Sequence, residues 1–154
     1  MQDDKTAFKI KLKEYCQDMI ERRIQAGRDA IDNAQQAANQ EEKSSAGDKY
    51  ETSRAMSHLE KDMHGRQLAA NITELSVLLA INAREIYTKA RPGAFIKCEN
   101  FNFFIAAGLG KQTLEGEIIF FLSPNAPLAK LLEGKSAGDH ISFNGKENLI
   151  ISVC

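Results

Sequence analysis

Two acidic residues, Asp48 and Glu51, stand three positions apart in the stretch Gly47-Asp48-Lys49-Tyr50-Glu51. On a helix start, residues at i and i+3 point the same way, so these carboxylates can share one ion or one water. Magnesium takes six oxygens in octahedral geometry and usually keeps several waters, so two acids can only complete a site whose other ligands come from elsewhere. A second role needs no ion. Asp48 as N-cap with Glu51 at N3 reads as a capping box worth about 1 kcal/mol to the following helix, and acids suit the positive end of its dipole. Both roles can coexist, since capping leaves outer oxygens exposed.

Lys43, Lys49, Tyr50 and Arg54 surround the pair. The three cations can touch RNA or nucleotide phosphates, although Arg54 is also i+3 from Glu51, the spacing of an ordinary surface pair. Tyr50 can stack on a base, or pack beneath its own loop. His58, His64 and His140 do not follow the spacing of a ligand set, no nucleophile and base stand out as a pair, and no glycine loop of the phosphate-binding kind precedes a helix.

The elements that must position these residues are long. From Lys5 to about Glu41 there is no proline and one glycine, and apolar or small residues recur at Phe8, Leu12, Cys16, Ile20, Ile24, Gly27, Ile31, Ala34 and Ala38. Steps of three and four mark an amphipathic helix. After the small-residue stretch around 44–47 the pattern resumes at Met56, Leu59 and Met63, slips near Gly65, and continues through Leu68, Ile72, Leu75, Leu79, Asn82 and Ile86 to Arg91-Pro92-Gly93. Each arm would be roughly 55 Å long at 1.5 Å per residue, which points to an antiparallel coiled coil. A bend near residue 46 sets Ile20 beside Ile72, Ile24 beside Leu68, Ala34 beside Leu59, and Gly27 level with Gly65.

Past Pro92-Gly93 the chain turns to short β-rich runs, AFIKC, NFFIAA, EIIFFL, HISF and NLIISV, with turn signals at ENFN, GLGK and FNGKEN. APLAKLLEG, with proline near its start and glycine at its end, reads as one short helix. The expected architecture is α+β: a helical hairpin over 1–91 with an acidic tip at 44–51, then a small antiparallel-sheet domain with one short helix over 92–154.

Lys plus Arg number 20 against 21 Asp plus Glu, and each half is similarly balanced, so neither is expected to bind nucleic acid by bulk charge. Cys16, Cys98 and Cys154 are widely spaced and form no Cys-x-x-Cys pair; they read as small hydrophobes of a reducing cytoplasm. The charged start MQDDK is unlike a secretory signal, and the longest apolar runs fall far short of the roughly 20 residues that cross a bilayer.

This order of parts, over nearly the whole chain, resembles the Gre transcript-cleavage factors of bacterial RNA polymerase. The tip motif Gly-Asp-x-x-Glu falls on Gly47, Asp48 and Glu51, and the C-terminal signature on Pro127, Leu128, Leu132, Gly134, Lys135, Gly138 and Asp139. Thr52 stands where that family usually has asparagine, and Tyr50 lies between the acids. The resemblance implies a second domain similar in fold to the FK506-binding type (FKBP-like), without its isomerase activity, since fold alone carries none. It also implies a hairpin that enters the polymerase's secondary channel, where Asp48 and Glu51 help hold Mg²⁺ jointly with the enzyme beside the nascent RNA 3′ end. The second domain would dock on the channel rim through Ser123, Pro127, Leu128 and Lys130, although Pro127 and Leu128 can equally start and bury the short helix. The factor would be a monomer that is no enzyme by itself. A channel regulator without cleavage, and a coiled-coil scaffold unrelated to polymerase, remain alternatives.

Overall fold

The computed structural model describes the backbone of residues 2–44 and 48–154 and the side chains of residues 3–40, 52 and 54–154. Helix α1 runs Gln2–Ser44 and α2 runs Asp48–Leu79. Six strands follow, β1 Phe95–Cys98, β2 Asn102–Ile105, β3 Gly110–Leu114, β4 Glu117–Leu122, β5 His140–Phe143 and β6 Lys146–Val153, with the short helix α3, Pro127–Leu132, between β4 and β5. The chain is α+β, as its texture indicates. Compactness groups Met1–Asp18 with Glu74–Cys154 as one unit and Met19–Thr73 as the other. The first unit thus draws on both sides of residue 91.

In the Met19–Thr73 unit, α1 turns Ile20, Ile24 and Ala34 inward. Its partner row on α2 differs from the expected one. A Cβ at Gly27 would lie 3.5 Å from Leu68 Cδ1, whereas one at Gly65 would meet nothing within 4 Å. Lys61 Nζ donates to Gln35 Oε1 at 2.6 Å. Facing residues therefore sum to about 95, roughly one helical turn from the register centred on residue 46. Ile72 and Leu59, expected in the seam, are exposed, as are Met56 and Met63.

The cause lies in α2 itself. Met63 and Leu68 are five residues apart, a rotation of roughly 140° about the axis, so one face cannot bury both. The shielded row comprises Ser57, Lys61, His64, Leu68 and Asn71, in phase with Leu75 and Leu78. Met56, Leu59 and Met63 belong to another side of the helix.

In the other unit, the sheet order is β3-β4-β2-β1-β6-β5. Its pairs are antiparallel except β2 with β4, which run parallel with Phe103 opposite Phe120. Strand β2 is buried on both faces. On one, Phe103 and Ile105 join Ile96, Ala129, Leu132, Ile141 and Ile150, and Phe101, Phe103, Phe120 and Phe143 pack with ring centroids 5.0–5.9 Å apart. On the other, Phe104 meets Phe121, and the first residues of α1 cover the sheet: Phe8 packs edge-on against Phe95 at 5.1 Å, and Tyr15 against Phe121 at 5.6 Å.

Two expectations give way here. The helix expected to run to Arg91 ends at Leu79. The Asn82 Oδ1 accepts the Arg84 N–H at 3.0 Å, while Lys13 Nζ and Lys9 Nζ donate to the Ile81 and Glu85 carbonyls at 2.7 and 2.6 Å. Side chains thereby take the groups that further helical turns would use, and Ile81, Ala83, Tyr87 and Ala90 enter the core. Strand β3 begins inside the GLGK turn signal, at Gly110 and Lys111, and runs on through Gln112–Leu114, which carry no strand signal because GKQTL has no apolar alternation; its pairing with β4 through the Glu115-Gly116 turn, both residues at positive φ, makes it a strand.

Candidate functional site

Asp48 is the first residue of α2, and Glu51 lies in the same first turn. Backbone periodicity puts the two acids on one side of that turn, and the dipole of a helix favours negative charge there. Lys43 lies near the end of α1. The side chains of Lys43, Asp48, Lys49, Tyr50 and Glu51, and the whole of Gly47, lie outside the described residues. Arg54, one turn after Glu51, is exposed, and so is Thr52. Two carboxylates fit the donor set of a shared magnesium ion but cannot fill it. Among the described residues no group of three or more His, Cys, Asp or Glu side chains is arranged to hold a metal.

The residues considered for docking gather around α3. Ala126 caps it without a side-chain hydrogen bond and Pro127 begins it, where a missing N–H costs nothing. The Ser123 carbonyl accepts the Ala126 N–H at 3.0 Å, and Ser123 Oγ accepts the Asn125 N–H at 3.4 Å. Leu128 packs against the core, while Lys130 is exposed. Lys130 also lines a depression of about 250 Å³ with Arg91, Pro92, Pro124 and Glu133. Arg91, which sequence reasoning used only to end a helix, stacks 4.5 Å above the Tyr87 ring and adds a second cation there. The rest of the C-terminal signature is architectural. Asp139 Oδ2 accepts the Ser136 N–H at 2.8 Å, Gly138 has φ 93°, and the Gly134 N–H donates to the Ala90 carbonyl at 2.9 Å.

The remaining titratable groups of note are structural. Lys9 is wholly buried, its Nζ 4.6 Å from the Tyr87 ring centroid, and burial lowers its pKa against the opposing pull of Cys154 and Glu85. Burial pushes the Cys16 thiol up to about 12 and Cys98 to about 11, helped by Glu74 and Glu99 respectively, and raises Cys154 as well. Thiols held neutral in this way are poor nucleophiles. Among the described residues no helix is long and apolar enough to cross a membrane.

No family model matches the chain, and no curated protein sequence does. Among solved structures it is similar to one described as "Structure of the transcription factor Gfh1", at 13% identity and a TM-score of 0.38, over 89% of this chain and 92% of that one. A likeness at that level assigns no activity to this chain.

Proposed function

We propose that the protein is an RNA polymerase secondary-channel accessory factor that rescues backtracked elongation complexes by stimulating the polymerase's own transcript cleavage. The observation that carries this reading is the pair Asp48 and Glu51 in the first turn of a 32-residue helix, within a Gly-Asp-x-x-Glu motif. Asp48 and Glu51 would contribute carboxylate oxygens to a Mg²⁺ ion held jointly with the polymerase. When bound, that ion supplies Lewis-acid activation of water and charge stabilisation in phosphodiester hydrolysis. The chain's own part is positioning: the acids would orient ion and water, Lys43, Lys49 and Arg54 would steady the phosphates of the RNA 3′ end, and Tyr50 would stack on a base. Neither acid supplies a complete site, so the factor acts on the polymerase's reaction and not alone. The cytoplasm, where polymerase works, is its expected place.

The test is a stalled elongation complex incubated with the protein and Mg²⁺. Shortened RNA that resumes extension is expected, and Asp48→Ala is expected to abolish shortening while leaving polymerase binding intact. Cleavage unchanged by Asp48→Ala rules this mechanism out. Thr52 after the second acid and Tyr50 between the two favour one other reading, a channel-binding regulator of initiation or pausing without cleavage. Binding to polymerase with no RNA shortening selects it.

A further inference from the structure

Helix α2 carries an apolar row that packing within its own unit leaves unused. Met56, Leu59 and Met63, at i, i+3 and i+7, are 63%, 66% and 50% exposed. With Glu60, Asp62 and Arg66 they line a cleft of about 680 Å³. Meanwhile the shielded row of the same helix holds Ser57, Lys61, His64 and Asn71. Three large apolar side chains two turns long, presented together to water, make a contiguous patch of the kind that partners cover. Two of them are methionines, whose unbranched thioethers adapt to an irregular partner surface.

The flanking charges decide what fits. Glu60 and Asp62 stand on opposite sides of the row, roughly 70 to 90° from its centre about the helix axis, and Arg66 continues the row beyond Met63. Glu60 lies 3.6 Å from His64 Nε2, yet its side chain is 58% exposed and open to a second partner. A second copy packed antiparallel on this row would bring the two Glu60 carboxylates together, and likewise the two Asp62. Packed parallel, it would oppose the two Arg66 guanidinium groups. Either arrangement sets like charges across the contact. An anionic lipid surface would be repelled by the two acids.

We propose that the Met56–Leu59–Met63 row is a docking face for an amphipathic helix of another protein, one whose apolar stripe is flanked on both sides by lysine or arginine. Such a helix lies along α2 with its basic side chains over Glu60 and Asp62, and an acid near one of its ends meets Arg66 and sets its direction. The face is separate from the tip acids and stands or falls independently of any polymerase.

The test uses the full chain and two synthetic helical peptides with identical leucine stripes, one flanked by lysines and one by glutamates, followed by fluorescence anisotropy. The lysine peptide is expected to bind and to weaken with added salt, and the glutamate peptide to bind at least about tenfold more weakly. Leu59→Gln, a change at an exposed position that leaves the circular dichroism spectrum intact, is expected to lower affinity for the lysine peptide about tenfold or more. Glu60→Lys with Asp62→Lys is expected to reverse the preference. Equal binding of both peptides, or binding of neither, overturns the proposal. So does Leu59-dependent self-association in sedimentation, which gives the row to a second copy, or Leu59-dependent binding to phosphatidylglycerol vesicles, which gives it to a membrane.

Discussion

Replacing Gly65 and Gly27 by alanine tests how α1 and α2 face each other in the Met19–Thr73 unit. Glycine in a helix interior is less favourable than alanine by about 1 kcal/mol, largely through backbone entropy. At Gly65 an added Cβ meets nothing within 4 Å, so that gain is unopposed. At Gly27 the new methyl lies 3.5 Å from Leu68 Cδ1 and 3.6 Å from Leu68 Cβ, ordinary van der Waals separations that add contact without displacing anything. Each substitution is therefore expected to stabilise by about 1 kcal/mol, and the two together by about 2 kcal/mol, because neither methyl touches the other. For a chain of this size each step raises the melting temperature by about 2–4 °C. Urea titration followed by far-UV circular dichroism reads the effect as a shift in midpoint at constant slope. In the register with Gly27 level with Gly65, the two methyls would meet where the helices approach. A destabilising Gly65→Ala, or a double variant worse than the sum of its parts, refutes the register that sets Gly27 against Leu68.

Two further outcomes follow from the buried groups of the sheet-containing unit. Cys16 and Cys98 are held neutral in the folded chain with pKa values pushed up to about 12 and about 11, against an ordinary value of 9.0. As pH rises the unfolded chain sheds these protons first, so the stability they contribute is complete below about pH 9 and is lost as pH climbs through the folded values; a urea midpoint that stays flat from neutral pH to about 10.5 speaks against their burial. Lys9→Met keeps the buried aliphatic stem but leaves the Glu85 carbonyl without its 2.6 Å donor, which is expected to cost about 1–3 kcal/mol. Lys11→Met, at a pair with Glu115 that is more than half exposed on both sides and therefore screened by water, is expected to leave the midpoint of the same titration essentially unchanged.

Much of the fold was legible because its signals are local. Uninterrupted helix formers over 5–41, small residues around 44–47, Pro127 before a leucine pair, and Asn144-Gly145 between two β-rich runs each act through the backbone of a few neighbouring residues. That Asp48 and Glu51 fall in one helical turn was legible for the same reason, since three positions of separation on a helix start fix their backbone spacing whatever the rest of the chain does. The Met56 row was harder to find, and its one signal was the five-residue step from Met63 to Leu68, which shows two apolar rows on α2 without saying which faces inward.

What sequence by itself determined, then, is where helices and most strands lie, that α+β is the class, and that two acids share a helical turn. Only tertiary structure decided that Leu68 and not Leu59 faces α1, because an apolar row gains by burial only against the partner it meets. Only tertiary contacts ended α2 at Leu79, where the amines of Lys9 and Lys13 claim the carbonyls of the segment that follows, and laid Phe8 and Tyr15 on the sheet. Strand β3 likewise exists through its ladder to β4. Hydrogen bonds and burial between residues far apart in the chain have no periodicity along it, so no local pattern could announce them.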